Sequence, residues 1–89
     1  MNDVNKLAKT KWACRRGMLE LDFIFNDFMN GGYKTLTNTQ QDDFLTFLLN
    51  ADPDLFAWIM GFRHPTEEDD IKMVAIIQAF QKKPRMRQE

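Results

Sequence analysis

From Met18 to Met29 the apolar positions recur at the spacing of an α-helix. Laid out at about 100° per residue, Met18, Leu21, Ile24, Phe25, Phe28 and Met29 fall together, and Arg16, Glu20 and Asp27 fall opposite them. The segment therefore predicts a helix from near Arg16 or Gly17 to about Asn30, with one face for a core and one for solvent. Leu19 and Phe23 sit on the shoulder of the stripe, so the helix is apolar on more than one side: it is either the central helix of a bundle or a helix with part of its surface turned to a partner. Gly31-Gly32 ends it, because glycine accepts the left-handed geometry of a C-terminal cap.

The remaining segments read the same way. Asn2 or Asp3 caps a first helix that runs to about Cys14, with Leu7 and Trp12 as its main apolar residues, Val4 and Ala8 on the same side, and Trp12 either in the core or partly exposed next to Arg16-Gly17. Lys9, Lys11, Arg15 and Arg16 gather toward its C-terminal end, where cations oppose the helix dipole favourably. The same bases suit the positive half of a docking surface. Tyr33 to Leu36 is a short connector. Thr37, with Gln40 three residues on, forms a capping box and opens a third helix to about Asn50, its stripe made by Phe44, Leu45, Leu48 and Leu49 and widened by Phe47. Asp52-Pro53 starts a fourth, Asp as the cap and Pro at the first helical position. Leu55, Phe56, Trp58, Ile59 and Met60 make this helix strongly apolar, with Trp58 in the core, and Gly61 stops it. Phe62 to Pro65 is a turn. Thr66, followed by Glu67, Glu68 and Asp69, opens the last helix, whose buried stripe is Met73, Ile76, Ile77 and Phe80 with Val74 at its edge; Pro84 ends it. No segment alternates with a period of two, so nothing asks for a strand. The expected fold is all-α, a compact bundle of five short helices forming a single domain over residues 1–83, with 84–89 as a flexible charged tail.

Composition narrows the function more than the fold. At 89 residues, 44% hydrophobic and with eight phenylalanines, the chain holds one small core. No apolar run approaches the ~18 residues of a membrane span, and Met1 to Lys6 lacks the apolar stretch of a secretory signal, so a cytoplasmic location is expected. Cys14 is the single cysteine, which excludes an internal disulfide and fits a reducing compartment; a half-buried, inert thiol is expected there, although flanking Arg15 and Arg16 act to lower its pKa. The chain has no serine, so no serine triad. Its lone His64 has no Cys or His at metal-ligand spacing, and there is neither a Gly-x-Gly-x-x-Gly nor a P-loop. No catalytic, metal or cofactor-binding residue is expected. Charge is segregated: residues 1–17 carry +4, residues 18–70 carry −9 and residues 71–89 carry +4. Such a pattern serves an electrostatically steered partner surface, or simply solubility.

One stretch concentrates the functional signal: Arg15-Arg16-Gly17-Met18-Leu19-Glu20-Leu21-Asp22. Gly17 falls inside the helical pattern, where glycine costs roughly 1 kcal/mol against alanine, and no neighbouring turn or proline calls for it. Arg16 and Glu20, four apart, share a helix face with it. The arrangement reads either as a helix junction with a weak surface ion pair, or as a patch where bare backbone lets another chain approach closely.

The run Trp12-Ala13-Cys14-Arg15-Arg16-Gly17-Met18-Leu19-Glu20-Leu21-Asp22 resembles the Arg-Gly-x-x-Glu signature of the FAD assembly factors of succinate dehydrogenase. The block Asp52-Pro53-Asp54-Leu55-Phe56-Ala57-Trp58, the segment Tyr33 to Leu36 and the chain length resemble the same family, over most of the chain from Lys6 to Phe80. The resemblance implies a chaperone-like binding module rather than an enzyme. It would dock on the flavoprotein subunit of succinate dehydrogenase or fumarate reductase and promote covalent attachment of FAD to a histidine of that subunit. FAD would then be carried by the client, and the factor itself would be a monomer. By the motif match Arg16, Gly17 and Glu20 lie at the interface, offered to solvent on a helical scaffold, with Lys11, Trp12, Arg15 and Asp22 flanking them. The alternative is a regulatory, antitoxin-like or nucleic-acid-binding module with the N-terminal bases as its footprint. A pI of 5.8 and the eleven acids of residues 18–70 argue against nucleic acid.

Overall fold

Four phenylalanine rings, Phe25, Phe28, Phe44 and Phe47, meet in the interior, and none is more than 1% exposed. Phe25 meets Phe44 edge-on at 6.1 Å between ring centroids, and Phe28 lies 5.2 Å from Phe44. The structure, a computed structural model, describes residues 3–82. Around the rings are α1 (Asp3–Ala13), α2 (Leu19–Gly31), a 3-10 turn (Tyr33–Thr35), α3 (Asn38–Phe47), α4 (Asp52–Met60) and α5 (Glu68–Lys82). Among the described residues there is no strand. The all-α, five-helix expectation holds. The Asn2 cap, the Pro84 stop and the 84–89 tail lie outside the described residues.

The α2 stripe is as the pattern predicts: Leu21, Ile24, Phe25 and Phe28 are buried, and Met18 and Met29 pack partly against them. The Thr37 capping box is present in both directions, Gln40 N–H donating to the Thr37 hydroxyl at 3.1 Å and Thr37 N–H to the Gln40 side chain at 2.9 Å. Gly61 ends α4 with φ +83°. Trp58 packs at the margin of the core, 6.2 Å from Phe47.

Several expectations need correction. α2 starts at Leu19, so Arg16 and Gly17 lie in a connector rather than on the helix. Gly32 caps α2 with right-handed φ −85°, not left-handed. It is glycine for space, because a Cβ there would run into the Phe28 ring. Ala51 precedes α4 as its cap, and Asp52 and Pro53 are its first two residues. α3 ends at Phe47, which leaves Leu49 on the surface. α5 begins at Glu68, with Glu67 C=O accepting from Ile71 N–H at 2.9 Å.

The largest departure is α1. Its apolar residues Val4, Leu7, Ala8 and Trp12 are exposed, while Lys6, Thr10 and Cys14 face inward. These three are spaced four apart and so share one face. The Thr10 hydroxyl donates to Lys6 C=O at 2.8 Å, and Lys6 Nζ meets Asp42 at 3.1 Å, so the inward polar groups are satisfied. Leu19 and Phe23 also point out rather than into the bundle.

Candidate functional site

The connector between α1 and α2 is built by two side chains. Asp22, on the first turn of α2, reaches back so that its Oδ1 accepts from Arg16 N–H at 2.7 Å and Gly17 N–H at 3.3 Å. This does for the helix start what a capping side chain does elsewhere, since Met18 at the cap position offers none. Gly17 has φ +84°, a region other residues enter only at a penalty, and a Cβ there would meet nothing within 4 Å. Glycine at this position is thus explained by backbone conformation, and the space beside it is open.

Arg16 turns inward, with a side chain only 15% exposed. Its Nε donates to Asp52 Oδ1 at 2.7 Å, Nη1 to Ala13 C=O at 3.0 Å and Leu48 C=O at 2.6 Å, and Nη2 to Asn50 C=O at 3.0 Å. The expected Arg16–Glu20 pair on one helix face is replaced by these four bonds, and the expectation that Arg16 is offered to solvent is corrected with it. A guanidinium fits the position because its planar fork satisfies three carbonyls and a carboxylate together.

The neighbouring residues face out. Arg15 lies over the Trp12 indole with its guanidinium carbon 5.4 Å from the ring centroid, within cation–π range. Trp12 is 72% exposed, Leu19 79% and Phe23 71%. Lys11, Arg15, Gly17 and Glu20 are exposed beside them, and Asp22 is partly so. Between α1 and α2 runs a cleft of about 600 Å³, with Lys11 and Arg15 among its α1-side residues and Leu19, Phe23, Asn26 and Asn30 among those from α2. Clustered exposed aromatics of this kind mark interaction surfaces. A second cleft of about 630 Å³, between Gly31, Gly32, Ile76 and Phe80, includes none of the residues singled out from the sequence.

Cys14 also lines the first cleft but is 6% exposed. Burial chiefly pushes its thiol from 9.0 up to about 12, against the lowering pull of the Arg16 charge and with a smaller push from Asp22. Burial therefore outweighs the Arg16 charge and favours the protonated thiol, which is buried rather than half-buried as expected. Among the described residues, no three His, Cys, Asp or Glu side chains group as a metal site, and no helix is long and apolar enough to cross a membrane.

Of the seven residues expected at the site, Lys11, Trp12, Arg15, Gly17 and Glu20 are exposed and Asp22 is partly so, while Arg16 holds the connector from inside. Reading the sequence left Leu19 and Phe23 open between bundle core and partner face, and the structure places them on the surface; it missed Asp52 as the partner of Arg16. The off-stripe placement of Leu19 and Phe23 was the available signal; nothing local links Arg16 to a carboxylate on α4.

Residues 8–81 match the family described as "Flavinator of succinate dehydrogenase". The chain is 51% identical over 61 residues to the FAD assembly factor SdhE of Vibrio cholerae, covering 68% of this chain and 71% of that protein. It is 45% identical over 83 residues to the FAD assembly factor SdhE of Colwellia psychrerythraea, covering 93% and 87%. It is also similar to the solution structure of a protein described as UPF0350, with a TM-score of 0.74 and 44% identity over 91% of this chain and 86% of that one.

Proposed function

Because this chain belongs to the family of succinate dehydrogenase flavinators, we propose that it is an FAD assembly factor that docks on the flavoprotein subunit of succinate dehydrogenase and promotes covalent attachment of FAD there. It is a chaperone-like binding module rather than a catalyst. The reacting groups belong to the client and its flavin, and the factor's contribution is to hold them in a near-attack arrangement.

The observation that carries the reading is the exposed surface around an intact Arg-Gly-x-x-Glu motif. Trp12, Leu19 and Phe23 supply apolar area beside the open backbone of Gly17. Arg15 and Lys11 line the neighbouring cleft, and Glu20, on the first turn of α2, is exposed. In this assignment Gly17 and Glu20 meet the client directly, with Trp12, Arg15 and Lys11 around them, while Asp22 and Arg16 shape the connector. A fumarate reductase flavoprotein is a second client of the same chemistry. The factor works as a cytoplasmic monomer, without nucleic acid and without a cofactor of its own.

In-gel flavin fluorescence of the client subunit, made with and without this protein, tests the proposal. Covalent flavin is expected to fall severalfold without it. Glu20→Ala and Gly17→Arg are expected to fail to restore the signal while keeping native helicity. Full covalent flavin in the absence of the protein, with the client made normally and no substitute factor, overturns the reading. Salt-steep DNA binding would favour the nucleic-acid alternative.

A further inference from the structure

We propose that Arg16 and Asp52 form an internal latch that sets the docking surface from behind, making Asp52, on α4 and 36 residues away from Arg16, a positioning residue for client binding. The inference rests on the docking role proposed above.

Two adjacent arginines face opposite ways. Arg15 lies outward over Trp12, and Arg16 is spent inside. A guanidinium has five N–H donors, and Arg16 directs four hydrogen bonds into its own chain. It cannot turn toward a client without breaking them. Its acceptors come from three places: the last residue of α1 (Ala13), the end of α3 and its connector (Leu48, Asn50), and the first residue of α4 (Asp52). Asp52 is the only ionised acceptor of the four, so it makes the charge-assisted bond.

What the latch holds is α1. That helix turns its own apolar side chains outward, so no broad apolar face fixes its attitude. Polar tethers act instead, Lys6 to Asp42 of α3 near one end and Arg16 at the other. The Arg16 tether is continuous with the docking connector, because Asp22 grips Arg16 N–H and Gly17 N–H. It also fixes one wall of the cleft, where Lys11 and Arg15 face Leu19 and Phe23. If the carboxylate is removed, Arg16 keeps its three carbonyl acceptors and Asp22 still holds the connector, but the charge-assisted bond that ties both to α4 is gone, and the connector and this wall of the cleft loosen.

The test compares Asp52→Ala, Arg16→Lys and the double variant with the intact chain in two measurements. The first is amide hydrogen exchange on the free protein. Exchange at Arg16 and Gly17 is expected to speed up about tenfold in Asp52→Ala, with the buried amides of α2 unchanged. The second is affinity for the FAD-free flavoprotein subunit, expected to weaken about tenfold in each single variant and no further in the double, as for one coupled unit. Arg16→Lys keeps the charge and serves where Asp52→Ala fails to fold. Unchanged exchange at Arg16 and Gly17 overturns the latch. Wild-type affinity in Asp52→Ala together with lost affinity in Arg16→Lys also overturns it, because Arg16 would then touch the client itself. The exchange arm needs no client, so it decides the latch even where the intact chain shows no affinity for the subunit, a result that sinks only the docking role.

Discussion

The two glycines with positive φ separate what a residue does for the fold from what it does for a partner. Gly17 and Gly61 have nearly the same backbone, at φ +84° and +83°, and a Cβ meets nothing within 4 Å at either. Alanine at each position therefore carries only the left-handed penalty, about 1–2 kcal/mol. Gly61 ends α4, whereas Gly17 stands in the connector beside Arg15 and Glu20. Gly17→Ala and Gly61→Ala are expected to lose similar stability in urea titration, and only Gly17→Ala is expected to bind the client less well. Equal binding by the two variants would show that nothing seats against Gly17. The sequence marked Gly17 as unusual but placed it inside the helix rather than in the connector before it. Its neighbours on both sides read as helical, and the turn is made by Asp22 reaching back five residues, an interaction no periodicity contains.

At the scale of elements, what was legible is what is local. The Thr37 capping box, the α2 stripe and the Gly61 stop are each fixed within about one or two helical turns, so residue types at fixed offsets are enough to read them. The orientation of α1 is not local. Its wheel places Val4, Ala8 and Trp12 on one side, and burial of apolar area alone would turn that side inward. The fold instead turns in Thr10 and Cys14, small enough for close approach, and Lys6, whose stem is covered while its ammonium reaches Asp42. The partners that make this tolerable lie on α3 and α4. The end of α2 was placed correctly for a mistaken reason, and that yields a prediction. Gly32 is right-handed and close against Phe28, so Gly32→Ala overpacks the core and is expected to destabilise by about 1–3 kcal/mol. Gly31→Ala meets only the edge of the Phe80 ring, at 3.1 Å, and is expected to be milder. If thermal melts show no difference between the two, α2 ends as a conformational stop rather than a packing one.

Across the whole molecule, the interior and the docking surface draw on different aromatics. Phe25, Phe28, Phe44 and Phe47 carry the core, while Trp12 and Phe23 stand largely in solvent. Stability and client binding should therefore respond to different substitutions. Phe23→Ala removes a ring that is 71% exposed, so its melting temperature is expected to stay near that of the intact chain. If Phe23 fills a pocket on the flavoprotein subunit, the same change loses about 2 kcal/mol or more of binding, mostly as faster dissociation. Arg15→Ala and Lys11→Ala act differently, because both bases sit at the rim of the cleft. Their removal is expected to slow association and flatten its salt dependence, with a smaller change in dissociation. Surface plasmon resonance on the client subunit at two ionic strengths resolves both effects. An aromatic substitution that changed only association, or a basic one that changed only dissociation, would mean that the client meets another face of the bundle.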